Sequence, residues 1–249
     1  MPGPKKPFRV LCFGDSLTSG YYGMGTGCRP YSITFEEKLS SAFPDRDVKV
    51  VENGMPGDVV SFKAFNQRLE EELRRAAAPY DWVIILGGTN DLAYGVATET
   101  ICDALDESYI TALKGDRKVL ALTIPETHGT KAALKAKRAE INDFIMRYDS
   151  PNFYAFDLHA AIPYAALSDE RRRQYWDDGV HLTSDGYDWM GNHLGAALIK
   201  FMIQNVGATD RRSRRMLRYA QDELMFEEED GNPNRIDEGY VIVRFKDLD

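Results

Sequence analysis

Cysteine is scarce in this chain. Only Cys12, Cys28 and Cys102 occur in 249 residues, and no two stand at C-x-x-C spacing. That argues against a disulfide-stapled scaffold and against a cysteine-rich zinc module. The odd, sparse count fits reduced thiols. His128, His159 and His193 share no metal-ligand spacing either, so no metal is expected. Positive charge is in deficit: 31 Lys and Arg stand against 39 Asp and Glu, a net charge of -8. Such a balance argues against nucleic acid as a partner. No apolar run reaches the length of a membrane span. Met1 to Pro7 holds three prolines and two lysines but no apolar stretch. No secretory signal is read there, and a cytoplasmic location is expected. Two familiar motifs are also missing. There is no G-x-S-x-G nucleophile elbow. Gly20, Gly23, Gly25 and Gly27 crowd one segment without spelling G-x-G-x-x-G or a P-loop, and read as a mobile loop.

What is present is enough apolar material for one domain, 43% of residues, with an extension. Short apolar runs alternate with helical periodicities. Phe8 to Phe13, Val48 to Val51, Trp82 to Leu86, Val119 to Ile124 and Phe153 to Phe156 read as strands. Between them fall helical stripes: Tyr31 to Phe43, stopped by Pro44, then Phe62, Phe65, Leu69 and Leu73. Ile101, Leu105 and Ala112 mark a third stripe, and Leu134, Ile141, Ile145 and Tyr148 a fourth. Tyr187, Met190, Leu194, Leu198 and Phe201 stripe a last helix, capped by Thr183 or Ser184. Five alternations imply an α/β fold, a five-stranded parallel sheet with helices on both faces. In such sheets, sites form beyond the carboxyl ends of the strands.

Three pieces, far apart in sequence, fall at that rim or beside a helix start. The first is Gly14-Asp15-Ser16, just after a strand. Backbone N–H groups there can hold an anion beside the Ser16 hydroxyl. The second is Gly88-Thr89-Asn90-Asp91, after a glycine-rich strand end, where a side-chain amide can donate to an oxyanion. The third is Asp178-Gly179-Val180-His181, in a polar turn before the last helix. Its i, i+3 spacing lets a carboxylate accept from one imidazole nitrogen while the other faces the serine. Asp177 is a rival carboxylate, one residue out. Gly57 offers a backbone N–H with no side chain to block approach, and Gly54 competes with it. Asp15 is assigned to holding the turn. Taken singly, each piece is also an ordinary cap or turn; together they supply what acyl transfer from an ester requires.

In this arrangement the chain resembles the SGNH (GDSL-type) hydrolase family from about Phe8 to Phe201. The first block corresponds to Gly14-Asp15-Ser16-Leu17-Thr18, the second to Asn53 to Asp58, the third to Gly88-Thr89-Asn90-Asp91 and the last to Asp178 to His181. The resemblance implies a flavodoxin-like three-layer α/β/α sandwich. It also implies Ser16, His181 and Asp178 as nucleophile, base and carboxylate. The oxyanion would be held by Ser16, Gly57 and Asn90, and no cofactor is needed. The substrate expected is a small-molecule ester of short or medium acyl or aryl type. Tyr21, Tyr22, Tyr31, Met55, Leu92, Tyr94 and Val180 are the apolar candidates to line its pocket. An acyltransferase or thioesterase on the same serine, and a ligand-binding relative without turnover, are the alternative readings.

The catalytic domain is assigned to residues 8–206 and an extension to 207–249. In the extension, Arg211-Arg212-Ser213-Arg214-Arg215 precedes Glu227-Glu228-Glu229-Asp230. Met216, Leu217, Leu224 and Met225 between them suggest a helix, and Tyr240 to Phe245 a strand seeking an edge. A homo-oligomeric contact is expected there.

Overall fold

The computed structural model describes residues 4–129 and 131–206. The chain divides into two compact units, Met1–Leu194 and Gly195–Asp249. The sheet and every candidate site residue belong to the first. The helix and strand expected near Met216 and Tyr240 lie outside the described residues.

Strand β1 (Lys6–Gly14) opens the fold and runs into helix α1 (Ser16–Ser19). Two short strands follow, β2 (Tyr21–Tyr22) and β3 (Gly27–Cys28), then α2 (Ser32–Ala42), β4 (Arg46–Gly54) and α3 (Lys63–Arg75). Next come β5 (Trp82–Leu86), α4 (Thr89–Ala93), α5 (Thr98–Leu113), β6 (Lys118–Leu122) and α6 (Ala132–Arg147). The described chain closes with β7 (Phe153–Phe156), α7 (Leu158–Ala161), α8 (Asp169–Tyr175) and α9 (Ser184–Val206).

The main sheet has five parallel strands in the order β4-β1-β5-β6-β7. Counted along the chain this is 2-1-3-4-5, the flavodoxin-like doubly wound order. The order changes direction between β1 and β5, the point at which sites form in sheets of this kind. Strand composition follows position in the sheet. Central β5, Trp-Val-Ile-Ile-Leu, is buried at every residue, as a strand covered on both faces must be. Edge strand β4 alternates near Val48 between half-buried and exposed positions. Phe13, Val83, Ile85, Leu105, Tyr109 and Ile141 meet in one core on one side of the sheet, and Phe13 meets Phe65 edge-on with centroids 5.0 Å apart.

Both β1 and β4 exceed their apolar runs. They pair from Lys6↔Arg46 to Gly14↔Gly54, because backbone pairing continues past the residues that bury side chains. The helix after Ser16 is a single turn, stopped where Gly20 turns left-handed at φ 74°. The glycine-rich segment expected as a mobile loop instead forms the β2–β3 hairpin, with Tyr21 paired to Cys28. Helices α7 and α8 have no sequence stripe. Asp157 and Ser168 start them by accepting from Ala160 and Arg171 N–H groups. Thr183 caps α9: its hydroxyl accepts from Gly186 N–H at 3.1 Å.

Candidate active site

Ser16 stands where β1 ends. Asp15 sets its backbone, because its Oδ1 accepts from Leu17 N–H at 2.9 Å and starts α1. Ser16 is buried, with 6% of the residue exposed. Its Oγ lies 2.9 Å from His181 Nε2. On the far side of the ring, His181 Nδ1 lies 2.7 Å from Asp178 Oδ2. In the tautomer with the proton on Nδ1, the imidazole donates to Asp178 and its Nε2 accepts from the Ser16 hydroxyl. Residues from opposite ends of the domain thus form one hydrogen-bonded chain.

The turn that carries Asp178 and His181 is braced at its base. Trp176 and Leu182 form an antiparallel bridge, and Asp177 N–H donates to His181 O at 2.8 Å. Asp178 Oδ1 accepts from Val180 N–H at 2.9 Å and from His181 N–H at 2.7 Å. Burial works against the charge on Asp178. The donated bonds from the His181 backbone and ring and from Val180 outweigh it and hold the carboxyl below its ordinary range. Asp177, the rival carboxylate, faces elsewhere: its Oδ2 accepts from Gly23 N–H at 2.7 Å in the β2–β3 hairpin.

The loop after β4 is stitched to the end of β1 and to α4, the helix that follows β5. Asn90 Nδ2 donates to Asp58 O at 2.7 Å. Asp91, fully buried, accepts from Val60 N–H at 3.0 Å and Ser61 N–H at 2.9 Å. Arg68 ties the other side: it donates to Gly14 O, Asn53 O and Asp58 Oδ2, and its guanidinium lies 3.9 Å from the centroid of the Phe13 ring. The two glycines of this loop have different tasks. A Cβ on Gly54 would stand 2.3 Å from Ser19 N, so Gly54 permits α1 to pack against β4. Gly57 sits in a turn closed by Asp58 N–H to Met55 O, at φ 82°, with nothing within 4 Å of a Cβ. Gly57 is therefore the glycine with open space above it.

Arg68 and Asp91 were not singled out in the sequence. Asp91 lies inside the third block, where its buried carboxylate had a motif to announce it. Arg68 had no such signal, being one charge on a helix rich in charges.

The expected pocket residues separate. The Tyr21 ring packs on His181, centroids 4.8 Å apart, and Tyr187 Oη donates to Tyr21 O at 2.7 Å. Tyr22 and Val180 are half-buried, while Met55 and Tyr94 are exposed. Tyr31 and Leu92 do not fit the expectation. Tyr31 is wholly buried, with its hydroxyl turned to Cys12 and Thr18, and Leu92 belongs to the core with Val60 and Ile101. Neither presents a side chain to a substrate.

A model of the GDSL-like Lipase/Acylhydrolase family matches residues 12–189, most of the chain. The chain belongs to this family. That GDSL-like span includes Ser16, Asn90, Asp178 and His181. Among solved structures, the fold is similar to an inhibitor-bound aryl esterase of M. smegmatis, with TM-score 0.59 at 19% identity over 77% of this chain and 98% of that one. It is also similar to a putative arylesterase from Agrobacterium tumefaciens, with TM-score 0.59 at 22% identity over 77% and 98%. A carbohydrate acetylesterase family member from Sinorhizobium meliloti gives TM-score 0.59 at 20% identity over 77% and 97%. These likenesses are of fold. No curated protein matches the chain. Among the described residues of this GDSL-like protein, no helix is long and apolar enough to cross a membrane, and no group of His, Cys, Asp and Glu has the arrangement of a metal site.

Proposed function

We propose that this protein is a serine hydrolase that cleaves small carboxylic esters through an acyl-enzyme on Ser16. The observation that carries the reading is the chain Ser16 Oγ–His181–Asp178, with links of 2.9 Å and 2.7 Å. Ser16 Oγ attacks the acyl carbonyl carbon as His181 Nε2 takes its proton. Asp178 holds the ring and stabilises the imidazolium. The carbonyl oxygen becomes an oxyanion, which the Ser16 and Gly57 N–H groups and the Asn90 amide stabilise. The tetrahedral centre collapses, the ester C–O bond breaks, and His181 returns its proton to the departing alkoxide. Water then repeats the sequence on the acyl-enzyme and releases the acid.

Crowding favours short acyl or aryl groups. The Tyr21 ring packs against His181, and Ser16 is buried. Exposed Met55 and Tyr94 offer apolar surface at the rim. The aryl- and acetylesterases among the structural relatives agree with that choice. The test is hydrolysis of p-nitrophenyl acetate, butyrate and octanoate by wild type and by Ser16→Ala. Wild type should turn over the acetate fastest, and Ser16→Ala should keep less than about a tenth of that rate. Equal rates for the two proteins would remove Ser16 from the chemistry.

A further inference from the structure

Three aspartates and one arginine, from the end of β1, the β4–α3 loop, α3 and α4, gather near Ser16. Asp58 pairs with Arg68, Nη2 to Oδ2 at 2.8 Å. Asp91 is satisfied by the Val60 and Ser61 N–H groups. Asp15 has neither arrangement. It is 1% exposed, its Oδ1 takes one N–H from Leu17, and its Oδ2 is buried with no partner. An unpaired carboxylate in that position is costly, and the least costly remedy is to keep a proton. The groups that act on Asp15 across the packing point the same way. Asp58 from the β4–α3 loop and Asp91 from α4 both oppose its charge, and Tyr187 from α9 brings no cation. Arg68, on α3, is the cation of the cluster and is engaged by Asp58.

We infer that Asp15 works as a neutral carboxylic acid behind the nucleophile, and that its ionisation sets the alkaline limb of ester hydrolysis. Asp15 is thus a positioning residue. Its one hydrogen-bonded oxygen fixes the turn in either state. Its charge matters because Ser16, next in the chain, supplies an N–H to the developing oxyanion. A carboxylate there adds a like charge in a water-poor site and raises the barrier. Protonated, Asp15 adds none. Burial, opposed by the N–H groups of Leu17 and of Asp15 itself and reinforced by Asp58 and Asp91, pushes its pKa up to about 7.

The inference about rate rests on the hydrolase reading; the protonation itself does not. Two measurements keep them apart. The first is infrared difference spectroscopy on the full chain, wild type minus Asp15→Asn. It should show the C=O stretch of a protonated carboxylic acid at about pH 5, lost by about pH 9. If Asp15→Asn does not fold, Asp15→Ser, whose hydroxyl can still accept from Leu17 N–H, takes its place as the reference. The second is kcat/KM for p-nitrophenyl acetate against pH. Wild type should fall by about tenfold or more on the alkaline side, and Asp15→Asn should not. A missing band, or an alkaline fall that persists in Asp15→Asn, overturns the inference. A titrating band in a protein with no ester hydrolysis at any pH supports the protonated Asp15 and overturns the hydrolase reading instead.

Discussion

In the proposed mechanism Asn90 uses one amide for two purposes. One N–H goes to Asp58 O at 2.7 Å and fixes the side chain. The amide has a second N–H, which the proposed mechanism assigns to the oxyanion. Removing a donor of that kind costs mainly in the transition state. Asn90→Ala should therefore lower kcat by roughly 10²–10³ with KM less changed. Steady-state kinetics decide: an unchanged kcat with a raised KM would make Asn90 a substrate-binding group. Asp15 makes a separate prediction, about stability. An unfolded aspartate titrates at about 3.9, whereas burial pushes folded Asp15 up to about 7. Between those values the folded state holds the extra proton, so stability falls as pH rises through the window and levels off above it. Asp15→Asn removes that fall. Urea unfolding at about pH 5 and about pH 8 should show the variant gaining on wild type by a few kcal/mol between the two. A constant difference would contradict the raised value. At this scale the sequence discloses chemistry better than exposure. Asp178 and His181 were legible because i, i+3 in a turn is a local relation. Tyr31 and Leu92 were misplaced because an apolar side chain near a motif reads the same whether it lines a pocket or fills the core. Only tertiary packing separates the two.

Among the elements, the β2–β3 hairpin is the part that the sequence concealed. Its glycines suggested mobility, but the structure ties it at three places. Asp177 accepts from Gly23 N–H, Tyr187 donates to Tyr21 O, and Arg29, just past the hairpin, pairs with Asp188 at 3.0 Å. All three partners come from the turn that carries Asp178 and His181 or from α9, at least 154 residues away, which is why local sequence carries no sign of them. The hairpin in turn places Tyr21 on His181. Asp177 thus supports the site without joining the proposed triad, and Asp178 should differ from it sharply. Asp177→Ala loses one exposed hydrogen bond, so kcat/KM should drop by no more than about tenfold. Asp178→Ala should cost orders of magnitude. Measuring both variants on one ester settles which carboxylate serves His181; the reverse ranking would exchange their roles. The strands were easier to read than the hairpin, because buried parallel strands are short, near-continuous apolar runs. Their ends were not, since β1 and β4 extend by pairing with each other.

At the scale of the whole molecule, strand order makes the site. Sequence alternation gives five strands and their helices, but it does not say which strand lies beside which. The resemblance to a hydrolase family supplied the flavodoxin-like order, and the sheet has it. With β1 beside β5 at the reversal, Ser16 and Asn90 emerge at one rim, and the β4 loop is bound between them by Arg68, Asn90 and Asp91. α9 then follows the turn that returns His181 to Ser16. This geometry has one purpose in the account: to make a single serine nucleophilic. A fluorophosphonate probe reads that property directly, with adducts located by intact mass and peptide mapping. Labelling should give one adduct, on Ser16, in wild type and none in folded Ser16→Ala. An adduct on another residue, or a folded wild type that takes up no label, would contradict it.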